Sequence, residues 1–139
     1  MIDQLTVFLE NKEGRLAALC RALADEDINM IMLTIAEVAD YGLVRIICND
    51  TERAVRKLDE AGFRAMSTKV VAVEVPNRPG GLAELLEAID KLDVNVEYGY
   101  CFNISETRSV DVFKIKGHET VADDLRAAGF ALLSQEELF

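Results

Sequence analysis

The sequence predicts an α+β chain of two βαββαβ sandwiches packed side by side, each an antiparallel sheet with its helices on one face. Two observations carry this. The chain states one pattern twice: TVFLENKEGRLAALCRAL, starting at Thr6, returns as VEVPNRPGGLAELLEAI, starting at Val73. Within each copy, apolar residues switch between a period of two and a helical period, in the same order both times.

The repeat extends well beyond the quoted stretch. Setting Leu5 against Val71 aligns LTVFLENKEGRL with VAVEVPNRPGGL, and DINM (27–30) with DVNV (93–96). After one inserted residue, ERAVRKLDEAGF (52–63) matches ETVADDLRAAGF (119–130). Half a chain is too long for a solenoid repeat and right for a small domain. The expected boundaries are residues 1–69 and 70–139.

Each element has its own signal. Leu5, Val7 and Leu9 alternate with Thr6 and Phe8 as a strand does, and Val71, Val73 and Val75 repeat the alternation. Leu16, Leu19, Cys20 and Leu23 form a helical stripe, repeated by Leu82, Leu85, Leu86 and Ile89. Second strands are expected at about 28–37 and 94–104, and third strands at about 43–48 and 110–115. Second helices are expected at about 51–61 and 118–128, with Gly62 and Gly129 as C-terminal stops. Final strands are expected at about 64–70 and 131–137, the first running almost directly into the next copy. This order is that of a ferredoxin-like sandwich. One helical layer cannot cover the apolar strands MIMLTI (30–35) and VEYGYCF (96–102). Pairing of the two copies, with a homodimer as a further option, is the expected remedy.

Composition narrows the function. The net charge is −10, shared as −3 over residues 1–70 and −7 over residues 71–139. Such a surface repels phosphate backbones and anionic lipid, so nucleic acid and membrane are not expected partners. Cys20, Cys48 and Cys101 are odd in number and lie in apolar runs, as reduced, buried thiols of a cytoplasmic protein do. No basic leader and no apolar run of membrane-spanning length is seen.

The repeated turn raises the functional question. Gly14 and Gly80 allow a sharp strand-to-helix turn that exposes the first helical N–H groups. Those donors and the helix dipole attract a carboxylate. Asn11 and Asn77 precede the turns, and Asn29 and Asn95 open the second strands, so amides stand ready for an ammonium group. A purely structural reading makes Asn11 and Asn77 helix caps and the glycines simple turn formers.

Asn77-Arg78-Pro79-Gly80-Gly81-Leu82 with Asp93-Val94-Asn95-Val96 resembles the ACT domain, a small regulatory module of amino-acid metabolism. The first copy resembles it through Asn11-Lys12-Glu13-Gly14-Arg15-Leu16 and Asp27-Ile28-Asn29-Met30. The resemblance implies domains joined side by side through their second strands, with an amino acid held between one loop and the neighbouring strand. It implies one site from Asn77, Gly80, Gly81, Leu82 and Asn29, and another from Asn11, Gly14, Arg15, Leu16 and Asn95. Glu13 stands where the second copy has Pro79, adding a negative charge beside the first loop. Some serine-binding members place a histidine where Leu9 and Val75 stand here, so serine is not favoured.

Catalytic chemistry is not expected. His118 is the only histidine and reads as a surface turn residue, so a hydrolase triad has no base. Neither a Cys-x-x-Cys cluster nor a glycine-rich phosphate loop is present, and no cofactor or metal is expected. An acylphosphatase-like enzyme would pair Arg15 with Asn29, but the glycine-rich cradle is missing and the net charge opposes an anionic substrate. The expectation is a non-catalytic sensor that binds a free amino acid and acts on a partner enzyme or regulator. Its rival is an interaction module with no small ligand.

Overall fold

The computed structural model describes residues 1–116 and 119–139, so His118 lies outside the described residues. The chain divides into two compact units, residues 3–68 and residues 69–139 together with 1–2.

The first unit holds β1 (Ile2–Glu10), α1 (Arg15–Asp25), β2 (Met30–Val38), β3 (Tyr41–Cys48), α2 (Thr51–Glu60) and the opening of β4 (Arg64–Pro76). Its strand order is β2-β3-β1-β4, with β3 antiparallel to both neighbours. Alternation in β1 sends Leu5, Val7 and Leu9 towards the helices, where they meet Leu19 and Leu23 of α1 and Ala54 and Leu58 of α2. α2 starts where the Asp50 side chain accepts from the Arg53 N–H at 3.1 Å. It stops at Gly62 (φ 88°), and the Phe63 N–H returns to the Leu58 carbonyl at 2.9 Å.

The second unit holds the end of β4, α3 (Gly81–Asp90), β5 (Asn95–Asn103), β6 (Arg108–Lys116), α4 (Val121–Ala127) and β7 (Ala131–Leu132). Its order is β5-β6-β4-β7. Val71, Val73 and Val75 face Leu85 and Ile89 of α3 and Val121 and Leu125 of α4. Each unit is therefore the ferredoxin-like α+β sandwich that the sequence predicts. β2 and β5 are the edge strands of their units, and both carry a bulge near their start, between Met30 and Met32 and between Val96 and Tyr98.

Three expectations need correction. The final strand does not run to 137; β7 ends at Leu132 and a short 3-10 turn follows over Glu136–Leu138. The cause is Ser134-x-x-Glu137. The Ser134 hydroxyl accepts from the Glu137 N–H at 3.3 Å, and the Glu137 carboxylate accepts from the Ser134 N–H at 3.4 Å and its hydroxyl at 3.0 Å. This reciprocal capping box starts a helical turn and ends the extended chain. The two strands expected at 64–70 and from 71 onward are one element, β4. Of the three free cysteines only Cys48 is buried, which pushes its thiol pKa up; Cys20 is half-buried and Cys101 exposed.

The cores of the units differ at two matched places. Leu33 pairs with Ile46 in the first unit, whereas Gly99 pairs with Phe113 in the second. A Cβ at Gly99 would overlap the Phe113 ring, so the ring takes the volume that the leucine fills in the other copy. More unusual is Asp111, which stands where the repeat has Val44. It lies on the helix-facing side in register with Val73, is 3% exposed, and its Oδ2 is buried without a hydrogen-bond partner. Burial raises its pKa above the ordinary carboxylate value.

Because the folded state raises this pKa, it holds the proton more tightly than the unfolded chain does. Asp111 therefore favours folding below its unfolded pKa, and that contribution is lost as pH rises through the folded pKa. Asp111→Val, which restores the residue type of Val44, is expected to raise stability at neutral pH by about 1–3 kcal/mol in urea unfolding, and to flatten the pH dependence. A destabilised variant would contradict this reading of the core.

Candidate ligand site

Both loops are built the same way. α1 and α3 begin after glycines in the left-handed region, Gly14 at φ 80° and Gly80 at φ 90°, and neither helix has a side-chain cap. Asn11 and Asn77 therefore do not cap helices. Asn77 instead ties its loop to the β5–β6 turn of its own unit. Its N–H donates to the Thr107 carbonyl at 2.9 Å, and its Nδ2 donates to the Glu106 carbonyl at 3.1 Å. Asn11 makes the lesser version of this link, its N–H reaching the Asp40 carbonyl of the β2–β3 turn at 3.4 Å.

The first-turn donors then sort themselves. The Gly81 N–H is engaged by the Arg78 carbonyl at 3.1 Å, and the Glu84 N–H by the Gly80 carbonyl at 3.0 Å. Leu82 and Ala83 keep N–H groups with no intrahelical partner; Leu16 and Ala17 do so in the first unit, where the Ala18 N–H bonds the Gly14 carbonyl at 2.9 Å. Donors of this kind, at the positive end of a helix dipole, suit an anion. Beside them, Leu16 and Leu82 are 37% and 43% exposed, an apolar surface repeated at matched positions.

Charge around the two loops differs. In the second, Arg78 bonds both carboxylate oxygens of Glu84 at 3.2 Å and the Pro79 carbonyl at 3.2 Å, folding back over the helix start. In the first, Lys12 pairs with Glu10 at 2.9 Å, and this contact holds the Glu10 carboxyl below its usual pKa. α1 has no acid in its first turn.

The residues Arg15 and Gly81 occupy the same place and behave differently. The Arg15 guanidinium lies 4.6 Å from the Phe63 ring centroid, with its Nε buried and unpartnered. Gly81 is buried, and a Cβ there would overlap the Pro76 carbonyl oxygen. An exposed asparagine, Asn29, stands just before β2, and another, Asn95, opens β5. Asn29 is held by Asn49, whose Oδ1 accepts from the Asn29 N–H at 3.0 Å and whose N–H donates to the Asn29 carbonyl at 3.1 Å. Asn95 pairs in register with Lys116. The bulges that follow both asparagines re-aim the side chains after them.

Within each unit the structure brings the loop Asn, the glycine and the helix start together, while Asn29 and Asn95 stand at the start of the edge strand. Sequence reading missed Asn49, which holds Asn29 across the β3–α2 turn, and Asp111. The signal for Asp111 was present, because SVDVFKI puts a carboxylate in step with Phe113 and Ile115. Among the described residues, no three His, Cys, Asp or Glu side chains converge as metal ligands, and no helix is long and apolar enough to cross a membrane.

Two ferredoxin-like units in one chain, each with an uncapped helix behind a left-handed glycine, define a tandem α+β repeat protein. The chain belongs to the ACT domain pair family, whose model matches residues 1–138. Its fold is close to that of a Bacteroides thetaiotaomicron protein of known crystal structure. The two share 35% identity and a TM-score of 0.92, over 99% of this chain and 94% of that one. The regulatory subunit of aspartate kinase from Thermus thermophilus, in its ligand-free form, is 18% identical with a TM-score of 0.68, over 91% of this chain and 90% of that one. The corresponding subunit from Thermus flavus is 18% identical with a TM-score of 0.62, over 90% and 88%. At that identity the likeness is one of fold. A comparison with curated proteins gave no match.

The Arg15/Gly81 contrast is testable by paired alanine substitution. Gly81→Ala forces a methyl group against the Pro76 backbone and is expected to cost about 1–3 kcal/mol. Arg15→Ala loses only a stacked cation and should cost about 1 kcal/mol or less. Chemical denaturation of both variants checks the order, and equal losses would contradict the close approach at Gly81.

Proposed function

We propose that this chain is a non-catalytic regulatory protein that binds a free amino acid at its strand-to-helix loops. The carboxylate sits on the open N–H groups of Leu82 and Ala83, or of Leu16 and Ala17. Asn77 or Asn11 orients the loop and offers its amide oxygen to the ammonium group. Each site is completed by a strand opening at Asn29 or Asn95 of a neighbouring unit, as the family resemblance implies. Gly80, Gly81, Leu82 and Asn77 would thus act with Asn29, and Gly14, Arg15, Leu16 and Asn11 with Asn95.

One observation carries this reading. Both helix starts lack a side-chain cap and present an exposed leucine, at matched positions in the two copies. Family membership and the regulatory subunits that share the fold support it. A ligand that binds the ordered form of the loops better than the free form shifts the population, and that shift is what a partner enzyme or regulator reads.

A thermal-stability panel of the twenty amino acids tests the proposal. A ligand at about a hundred times its dissociation constant adds about 2.7 kcal/mol, several degrees for a chain of this size. One amino acid, or one chemical class, should raise the midpoint selectively, and Asn77→Ala should weaken that response. A flat panel would contradict the sensor and favour an interaction module that docks through the exposed Leu16, Leu82 and Leu86.

A further inference from the structure

We propose that the first unit carries a second small-molecule site, on the helix-free face of its sheet, shaped for a small carboxylate with a flat apolar body. Phe8, Tyr41 and Arg64 build it. Leu5, Val7 and Leu9 point to the helices, so Phe8 points to the opposite face, the same face on which the Thr6 and Thr68 hydroxyls meet at 2.9 Å. There Phe8 and Tyr41 pair with ring centroids 6.0 Å apart and planes tilted by 52°, and the Arg64 guanidinium lies 5.3 Å from the Phe8 centroid. With Leu9 and Glu10 these residues line a concavity of about 430 Å³, room for a small organic acid.

The charges decide the ligand class. Arg64 has no carboxylate within ion-pairing distance among the described residues, in a chain with 25 acidic side chains. Asp59 lines an adjoining hollow with Arg64 and Phe8 but makes no ion pair with it. The guanidinium lies over the Phe8 ring, and its N–H groups suit a bidentate carboxylate. Glu10, the acid on the rim, is already paired with Lys12 at 2.9 Å. An incoming anion therefore meets a neutralised rim and a guanidinium with no carboxylate partner among the described residues, with aromatic rings beside it for its body.

The duplicate copy supplies the contrast. Where the first unit has Phe8, Tyr41 and Arg64, the second has Glu74, Arg108 and Ala131. Glu74 and Arg108 satisfy each other, the Arg108 Nε donating to Glu74 Oε1 at 2.8 Å. One copy closes this face with its own ion pair, and the other leaves a cation and two rings open.

This inference does not depend on the loop sites, and its test reads it separately. The full chain is titrated calorimetrically with sodium phenylacetate, and with acetate and 2-phenylethanol as half-probes. Phenylacetate should bind at least about tenfold tighter than either half-probe. Arg64→Gln should weaken phenylacetate by about tenfold or more, Tyr41→Leu should weaken it while leaving the fold intact by circular dichroism, and Arg108→Gln should leave it unchanged. Absence of binding, or an affinity unmoved by Arg64→Gln, overturns the proposal whatever the amino-acid panel shows.

Discussion

The left-handed glycine after each opening strand is the constraint on which the rest depends. Gly14 and Gly80 reverse the chain within a few residues, at φ 80° and φ 90°. That sharp reversal fixes which face of the following helix looks inward, so Leu19 and Leu23 in one copy, and Leu85 and Ile89 in the other, reach the alternating face of the opening strand. It also removes the residue type that would cap the helix with a side chain. The same turn therefore builds the core and leaves donors unsatisfied at the surface. A stable fold and an uncapped helix terminus are two results of one backbone conformation.

Around that shared constraint the copies have diverged by compensated exchanges. Leucine with isoleucine in one core becomes glycine with phenylalanine in the other, the ring filling the space over the glycine. Arginine stacked on Phe63 in one loop becomes a glycine pressed against the Pro76 carbonyl in the other. Two aromatics become an ion pair. Asp111 has no such compensation, and its buried oxygen stands without a hydrogen-bond partner.

Much of this was legible in the sequence, because strand and helix periods do not depend on tertiary contacts. Leu5, Val7 and Leu9 announce a strand by alternation alone, and the duplicate repeats the statement. Two things were not legible. The last strand looked extended because ALLSQEELF is apolar enough, but a local capping box between Ser134 and Glu137 outweighed that pattern. The work done by Asn77, Asn49 and Arg64 depends on partners far off in sequence, at Glu106, Asn29 and Phe8. A motif shows that a residue type recurs; only the register of the sheet shows what it touches.

The central claim is that the open N–H groups at the two helix starts hold a carboxylate. Amide spectra of the full chain, titrated with the amino acid that stabilises it and with the same amino acid as its carboxamide, address this directly. The account predicts shifts centred on Leu82 and Ala83, or on Leu16 and Ala17, that the carboxamide fails to produce. Shifts of equal size with the carboxamide, or shifts that leave these amides untouched, would contradict it.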